Sequence, residues 1–222
     1  MTAFNAIMMR DIVLGFRAGG GAFLTTIFFA IVVLVFAFAV GPDRALMSMI
    51  AAPVLWAAAL LSTLVSFDRI FQTDFEDGTL DVIVETADLL EVRILAKAAA
   101  HWVTSCLPLI IITPLLALLL SLPSGTWAPL IISLIIGTPA LSLIGTLVAG
   151  LTVSLRRVNI LITILAMPLF TPALIFGVGA GRTSGFSDPA FAPALLLLGA
   201  CVLISLIMAP LAGAAAIRAN LD

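Results

Sequence analysis

Residues 21–40 read GAFLTTIFFAIVVLVFAFAV, a run with no Asp, Glu, Lys or Arg. A hydrocarbon layer about 30 Å thick is crossed by about 20 apolar residues in a helix. In water such a helix has no polar face to offer, and in lipid it needs none, because its backbone groups pair within the helix. Uncharged apolar stretches recur at 46–67, 98–121, 126–150, 159–180 and 190–216. The expected fold is therefore an all-α integral membrane protein with six transmembrane helices, residues 1–222 forming a single transmembrane domain. Composition agrees. The chain is 63% hydrophobic and only 10% charged, whereas a soluble domain carries roughly 25% charged residues. Ala37-Phe38-Ala39 resembles a small-residue cleavage site, but the apolar run before it exceeds the roughly 7–15 residues of a signal-peptide core. The first span is read as uncleaved.

Basic residues orient the spans. Arg10, Arg17, Arg69, Arg93, Lys97, Arg156, Arg157 and Arg218 flank one side, and only Arg44 and Arg182 the other. Both termini are expected in the cytoplasm, with the chain multi-pass in its membrane.

Two segments outside the spans carry a pattern. In residues 4–17, Phe4, Met8, Ile12 and Phe16 recur every fourth position, with Arg10 and Arg17 on another face. That suits a helix lying in the membrane interface; the alternative is a frayed lead-in to the first span. The loop 68–97 holds eight of the twelve acids: Asp68, Asp74, Glu76, Asp77, Asp81, Glu85, Asp88 and Glu91. Within it, Asp74 to Asp81 reads as a turn around Gly78, whose backbone freedom allows a sharp reversal, followed by a short element, helix or strand. Asp88 with Glu91 resembles a capping box, so a helix is expected to begin near Leu89 and run into the third span. The segment reads as a knob that a water-soluble partner could push, or as a solvated acidic loop.

At this point the residues become recognisable. Phe75-Glu76-Asp77-Gly78-Thr79-Leu80-Asp81, with Lys97 sixteen positions later, resembles the signature of ABC-2 type exporter permeases. Then come Ala100-His101-Trp102, Leu107-Pro108-Leu109, Thr113-Pro114-Leu115, Gly137-Thr138-Pro139, Leu151 to Arg157, Met167-Pro168-Leu169, Pro172, Leu174 to Gly177, and Ala209-Pro210. That ordered series is similar to the CcmB family of permease subunits in cytochrome c maturation, across essentially the whole chain. It departs from the family in having Ala87 in place of a frequent proline, and Val158 in place of a glycine.

The resemblance implies a separate ATPase subunit, CcmA, and association with CcmC, CcmD and the haem chaperone CcmE. ATP bound on the partner would drive haem export or release of the loaded chaperone. Asp74, Phe75, Glu76, Asp77, Gly78, Thr79, Leu80, Asp81 and Lys97 become the expected ATPase-coupling residues. Membrane lipid and a second copy of the chain are further expected partners, and nucleic acid is not.

Single residues admit two readings each. His101, the one histidine, is a weak haem ligand candidate or a side chain hydrogen-bonded within the bundle. Pro53, Pro108, Pro114, Pro139, Pro168, Pro172 and Pro210 lie inside spans, where each removes a backbone bond and can kink its helix; the kinks are hinges or static packing features. Arg156 and Arg157 set topology, or bind lipid phosphate or the ATPase. Cys106 and Cys201 sit in apolar runs with no CxxC pattern, which offers neither a metal site nor covalent haem attachment.

Other function classes fare worse. The chain has no GxxxxGK[ST] phosphate loop, so it is read as a non-catalytic subunit; no cofactor is assigned to the chain itself, and haem is a candidate cofactor of the complex. An intramembrane enzyme is disfavoured because one histidine and no acid within any span leave too little for a metal site or a Ser-His pair. An ion-coupled secondary transporter would be expected to keep ionisable groups within its spans. That reading and another ABC-2 exporter are the alternatives.

Overall fold

The computed structural model describes residues 3–17, 21–76, 78, 90–153 and 158–221. Regular structure among them is helical: α1 (Ala3–Arg17), α2 (Gly21–Val40), α3 (Arg44–Leu64), α4 (Arg69–Glu76), α5 (Leu90–His101), α6 (Leu107–Leu119), α7 (Ser124–Thr152), α8 (Val158–Gly181) and α9 (Phe191–Leu221). A π turn, Trp102–Cys106, joins α5 to α6. Among the described residues, six helical runs are long and apolar enough to cross a membrane. The protein is a multi-pass helical membrane protein, preceded by the separate helix α1.

The spans match their apolar stretches closely, and the departures fall at their ends. The helix of the second span stops at Leu64, turns through Val65 to Asp68, and restarts as α4. The third span begins at Leu90, so the last residues of the expected loop are its first helical turns. Asp74, Phe75 and Glu76, expected in a turn, belong to α4. The reason is amphipathic. Phe71 and Asp74, three apart on one face, are both buried, and Phe71 packs with Leu90, Ile94, Val153 and Ile217. Gly78 follows the end of α4 in a turn conformation, its N–H bonded to the Phe75 carbonyl at 3.4 Å, with a φ of +74° that glycine adopts without strain.

Local chemistry fixes the connections at the other end of the bundle. Asp43 caps α3 by accepting from the Leu46 N–H at 3.0 Å. Ser121 takes a left-handed conformation (φ 55°) after α6. There Leu122 N–H bonds Ala117 O and Ser121 N–H bonds Leu118 O, which satisfies the last carbonyls in a Schellman arrangement. Asp188 folds the segment before α9 by accepting from the backbone N–H groups of Ala190 and Ser184, and those bonds hold its carboxyl below the usual carboxylate range.

α7 is the hub, packing against α3, α4, α5, α6, α8 and α9. Helices in lipid approach through small residues, and α7 supplies Gly137, Gly145 and Gly150 against Trp56, Phe67 and Ile217. Trp56, Phe29, Phe67 and Phe170 are wholly buried. The Trp56 indole also donates to Ser133 Oγ at 3.0 Å, so the largest core side chain leaves no polar atom unpaired. Leucines, isoleucines and phenylalanines of α2, α8 and α9 face outward instead, among them Phe38, Leu196 and Leu203, as lipid requires.

Candidate functional site

Six crossings put both ends of the chain at one end of the bundle, and the polar chemistry gathers there. α1 lies against α5, brought so close at Gly15 that an added β-carbon would stand 2.8 Å from Thr104 Cγ2. Its Arg10 and Asp11 meet α4 and α5. The Arg10 guanidinium donates to Asp11 at 2.8 Å and to both Asp74 oxygens at 3.0 and 3.2 Å. The buried Lys97 ammonium reaches Asp11 at 3.0 Å, Asp74, and the Ile70 carbonyl at 2.9 Å. Three partners use its three protons. Its charge also lies 5.3 Å from the centre of the Phe71 ring. Two cations and two carboxylates thus offset one another where an isolated charge would be costly.

One helical turn further along α5, on the same face, is His101. Its Nε2 is 2.9 Å from Ser66 Oγ and its Nδ1 3.0 Å from Ser142 Oγ. The proton directions follow from the neighbours. Ser66 donates its own proton to the Thr63 carbonyl at 2.9 Å, so it accepts from Nε2–H. Nδ1 then accepts from Ser142, whose oxygen also lies 3.4 Å from the Cys106 sulfur, and the Cys106 thiol donates to the Thr138 carbonyl at 4.0 Å. The Phe67 ring lies 4.9 Å from the imidazole, centre to centre, and 5.8 Å from Phe170. A cavity of about 280 Å³ borders both polar groups, Asp74 and Lys97 of the one and Ser66 and His101 of the other, and is also lined by Leu14 and Gly15 of α1.

The π turn begins at the residue after His101. Leu107 N–H bonds the Trp102 carbonyl, five residues back. Pro108 explains the widening: it has no N–H to return to Thr104, and its ring would press on that carbonyl in an α-helix. Trp102 is tied to α7 by its indole, which donates to Thr138 Oγ1 at 2.9 Å.

The expected coupling residues divide. Asp74 and Lys97 are buried in the ion-pair cluster. Phe75, Glu76 and Gly78 are exposed at the end of α4, where Glu76 accepts from Gln72 at 2.8 Å. Asp77, Thr79, Leu80 and Asp81 lie outside the described residues, as do Arg156 and Arg157. Pro53, Pro114, Pro139, Pro168, Pro172 and Pro210 sit within continuous helices, and Pro108 at the start of α6. Both ring nitrogens of His101 are engaged by serines. Among the described residues no three His, Cys, Asp or Glu side chains gather as metal ligands.

Sequence reasoning did not find Ser66, Ser142 or Asp11. Ser66 could have been marked by its place beside Asp68 at the end of an apolar run. Ser142 is one hydroxyl among several in α7, and nothing local sets it apart.

These features define a class: a helical membrane subunit with an uncharged bundle and a charged, interlocked structure at one end. The family model for CcmB protein matches residues 2–220. The chain is 43% identical over 222 residues to "Heme exporter protein B" of Bradyrhizobium diazoefficiens, covering 100% of both. The protein of the same name from Paracoccus denitrificans is 46% identical over 218 residues, 98% of this chain and 99% of that one. The Escherichia coli K12 protein is 37% identical over 195 residues, 88% of each. The chain belongs to the CcmB family.

Proposed function

We propose that this chain is the transmembrane permease subunit of an ATP-driven haem exporter serving cytochrome c maturation. The name its relatives carry supplies the cargo. A sequence without a phosphate-binding loop needs ATP hydrolysis from another chain, CcmA, with CcmC, CcmD and the haem chaperone CcmE completing the assembly. Hydrolysis then drives haem export or release of the loaded chaperone. Residues 1–222 act as one transmembrane domain in the bacterial inner membrane, with α1, the 65–78 segment and both termini facing the cytoplasm. Half-transporter size favours a second copy beside it.

One observation carries the coupling role. The exposed end of α4, with Phe75, Glu76 and Gly78, is fixed to the base of the third span through Asp74 and Lys97. A force on that tip reaches a membrane helix directly. The exposed Phe75, Glu76 and Gly78 carry the docking surface, with Asp77, Thr79, Leu80 and Asp81 assigned to it by the family resemblance, and Asp74 and Lys97 hold α4 in place. An ion-coupled transporter is the weaker reading, because the buried charges cluster at one end rather than along the spans. Purification of the tagged chain in mild detergent tests the proposal. The ATPase subunit and the haem-handling proteins should come with it, and their consistent absence would overturn it.

A further inference from the structure

Two ties of different height hold the segment after the second span to one face of α5. Lys97 binds Ile70 O and Asp74 at the lower level. His101, four residues on, binds Ser66 at the upper. Beyond His101 the helix opens into the π turn.

We propose that His101 is a positioning residue, delivering movement of the 65–76 segment to the π turn of the third span. This deepens the coupling role above and rests on it. Four features support it. First, the imidazole bridges three stretches of chain, Ser66 after span two, its own helix, and Ser142 in α7. Second, the Ser66 proton is committed to Thr63 O, and the Ser105 hydroxyl that also donates to Ser66, at 3.4 Å, does not extend to Ser142; losing the ring removes the side chain that joins Ser66 to Ser142. Third, the neighbouring Phe67 is wholly buried, against the imidazole on one side and seated on Gly145 on another. The turn therefore cannot slide past His101 without carrying the ring. Fourth, the cavity beside His101 leaves room on the α1 side, while Phe67 closes the other, which gives the displacement a direction. A π turn holds one residue more than an α turn, so it is a place where a helix can change register. Pulling His101 against Ser142 acts on that surplus residue, and α6 with Leu107 and Pro108 would rotate relative to α5.

The test uses the complete complex with its ATPase subunit, comparing wild type with His101→Leu, Ser66→Ala and His101→Gln. Three quantities are measured: subunits and haem co-purified, ATP hydrolysed, and c-type cytochrome formed per ATP. The expected result for His101→Leu is normal assembly and haem content, with cytochrome formed per ATP falling about tenfold for the two buried hydrogen bonds lost. Ser66→Ala falls less. His101→Gln, which can still satisfy one serine, recovers part of the loss. An unchanged ratio in His101→Leu overturns the proposal, and so does loss of haem at normal accumulation, which makes the residue a ligand. If His101→Leu does not accumulate, Ser66→Ala decides by the same ratio. A wild-type complex lacking the ATPase overturns the coupling reading itself; an assembled complex with unchanged ratios overturns only the role of His101.

Discussion

Phe67 occupies the space that a side chain on Gly145 would fill: a β-carbon built there overlaps the ring edge. The contact locks the turn after the second span onto the last third of α7, beside His101 and Phe170. Only glycine in α7 permits it, because the opposing atoms belong to a rigid aromatic ring with no free rotamer to yield.

Gly145→Val should therefore destabilise the protein by about 1–3 kcal/mol, the usual cost of overpacking a filled core. Phe67→Ala should cost about 3–5 kcal/mol through the cavity it leaves. Thermal unfolding in detergent reads both. The double variant should be more stable than Phe67→Ala alone, since the new side chain refills part of the space, and a purely additive loss would contradict the contact.

Lys97 and Arg218 both form ion pairs at the same end of the bundle, in different surroundings. Lys97 is 5% exposed, whereas Arg218, 3.2 Å from Glu91, is 52% exposed. Lys97→Met should cost about 3–5 kcal/mol, because the buried Asp74 and the part-buried Asp11 lose a counter-charge. Arg218→Ala should cost less than about 1 kcal/mol. Comparable melting shifts for the two variants would refute the difference.

At the exposed end of α4, Glu76→Lys together with Asp77→Lys should reduce co-purification of the ATPase subunit. The loss should approach about tenfold, as when a few rim charges are reversed, while membrane insertion and yield stay normal. Asp74→Asn should act differently, lowering stability through Arg10 and Lys97. Full retention of the ATPase by the double reversal would remove this surface from the docking site.

Side-specific labelling checks orientation. In a Cys106→Ser, Cys201→Ala background, Glu76→Cys should resist an impermeant thiol reagent in intact cells and react once the membrane is opened. Asp188→Cys should react from outside. The reverse pattern would put α4 beyond the reach of any cytoplasmic motor.

The contrast between Asp74 and Glu76 shows how far the sequence could be read. Both are acids in one short polar segment, and nothing local separates them. The fold does, because Asp74 shares the face of α4 that carries Phe71 and turns toward α5, while Glu76 turns away. Lys97 is a similar case: a charge at the edge of an apolar run that proves to be buried, since α1 covers it. His101 was legible as a choice between ligand and hydrogen-bonded side chain, but its partners were not.

From the sequence alone came the helical class, six spans, the separate helix at the start and the turn conformation of Gly78. Each depends on a local quantity: apolar length, spacing of side chains around one helix, or a backbone angle only glycine takes freely. The tertiary structure alone decided that Arg10 meets Asp74, 64 residues away, and that Ser66, His101 and Ser142 join across gaps of 35 and 41. Lipid is as apolar as the helices it surrounds, so hydrophobicity cannot choose which helix packs on which. Shape and buried hydrogen bonds make that choice, and both exist only once the helices have met.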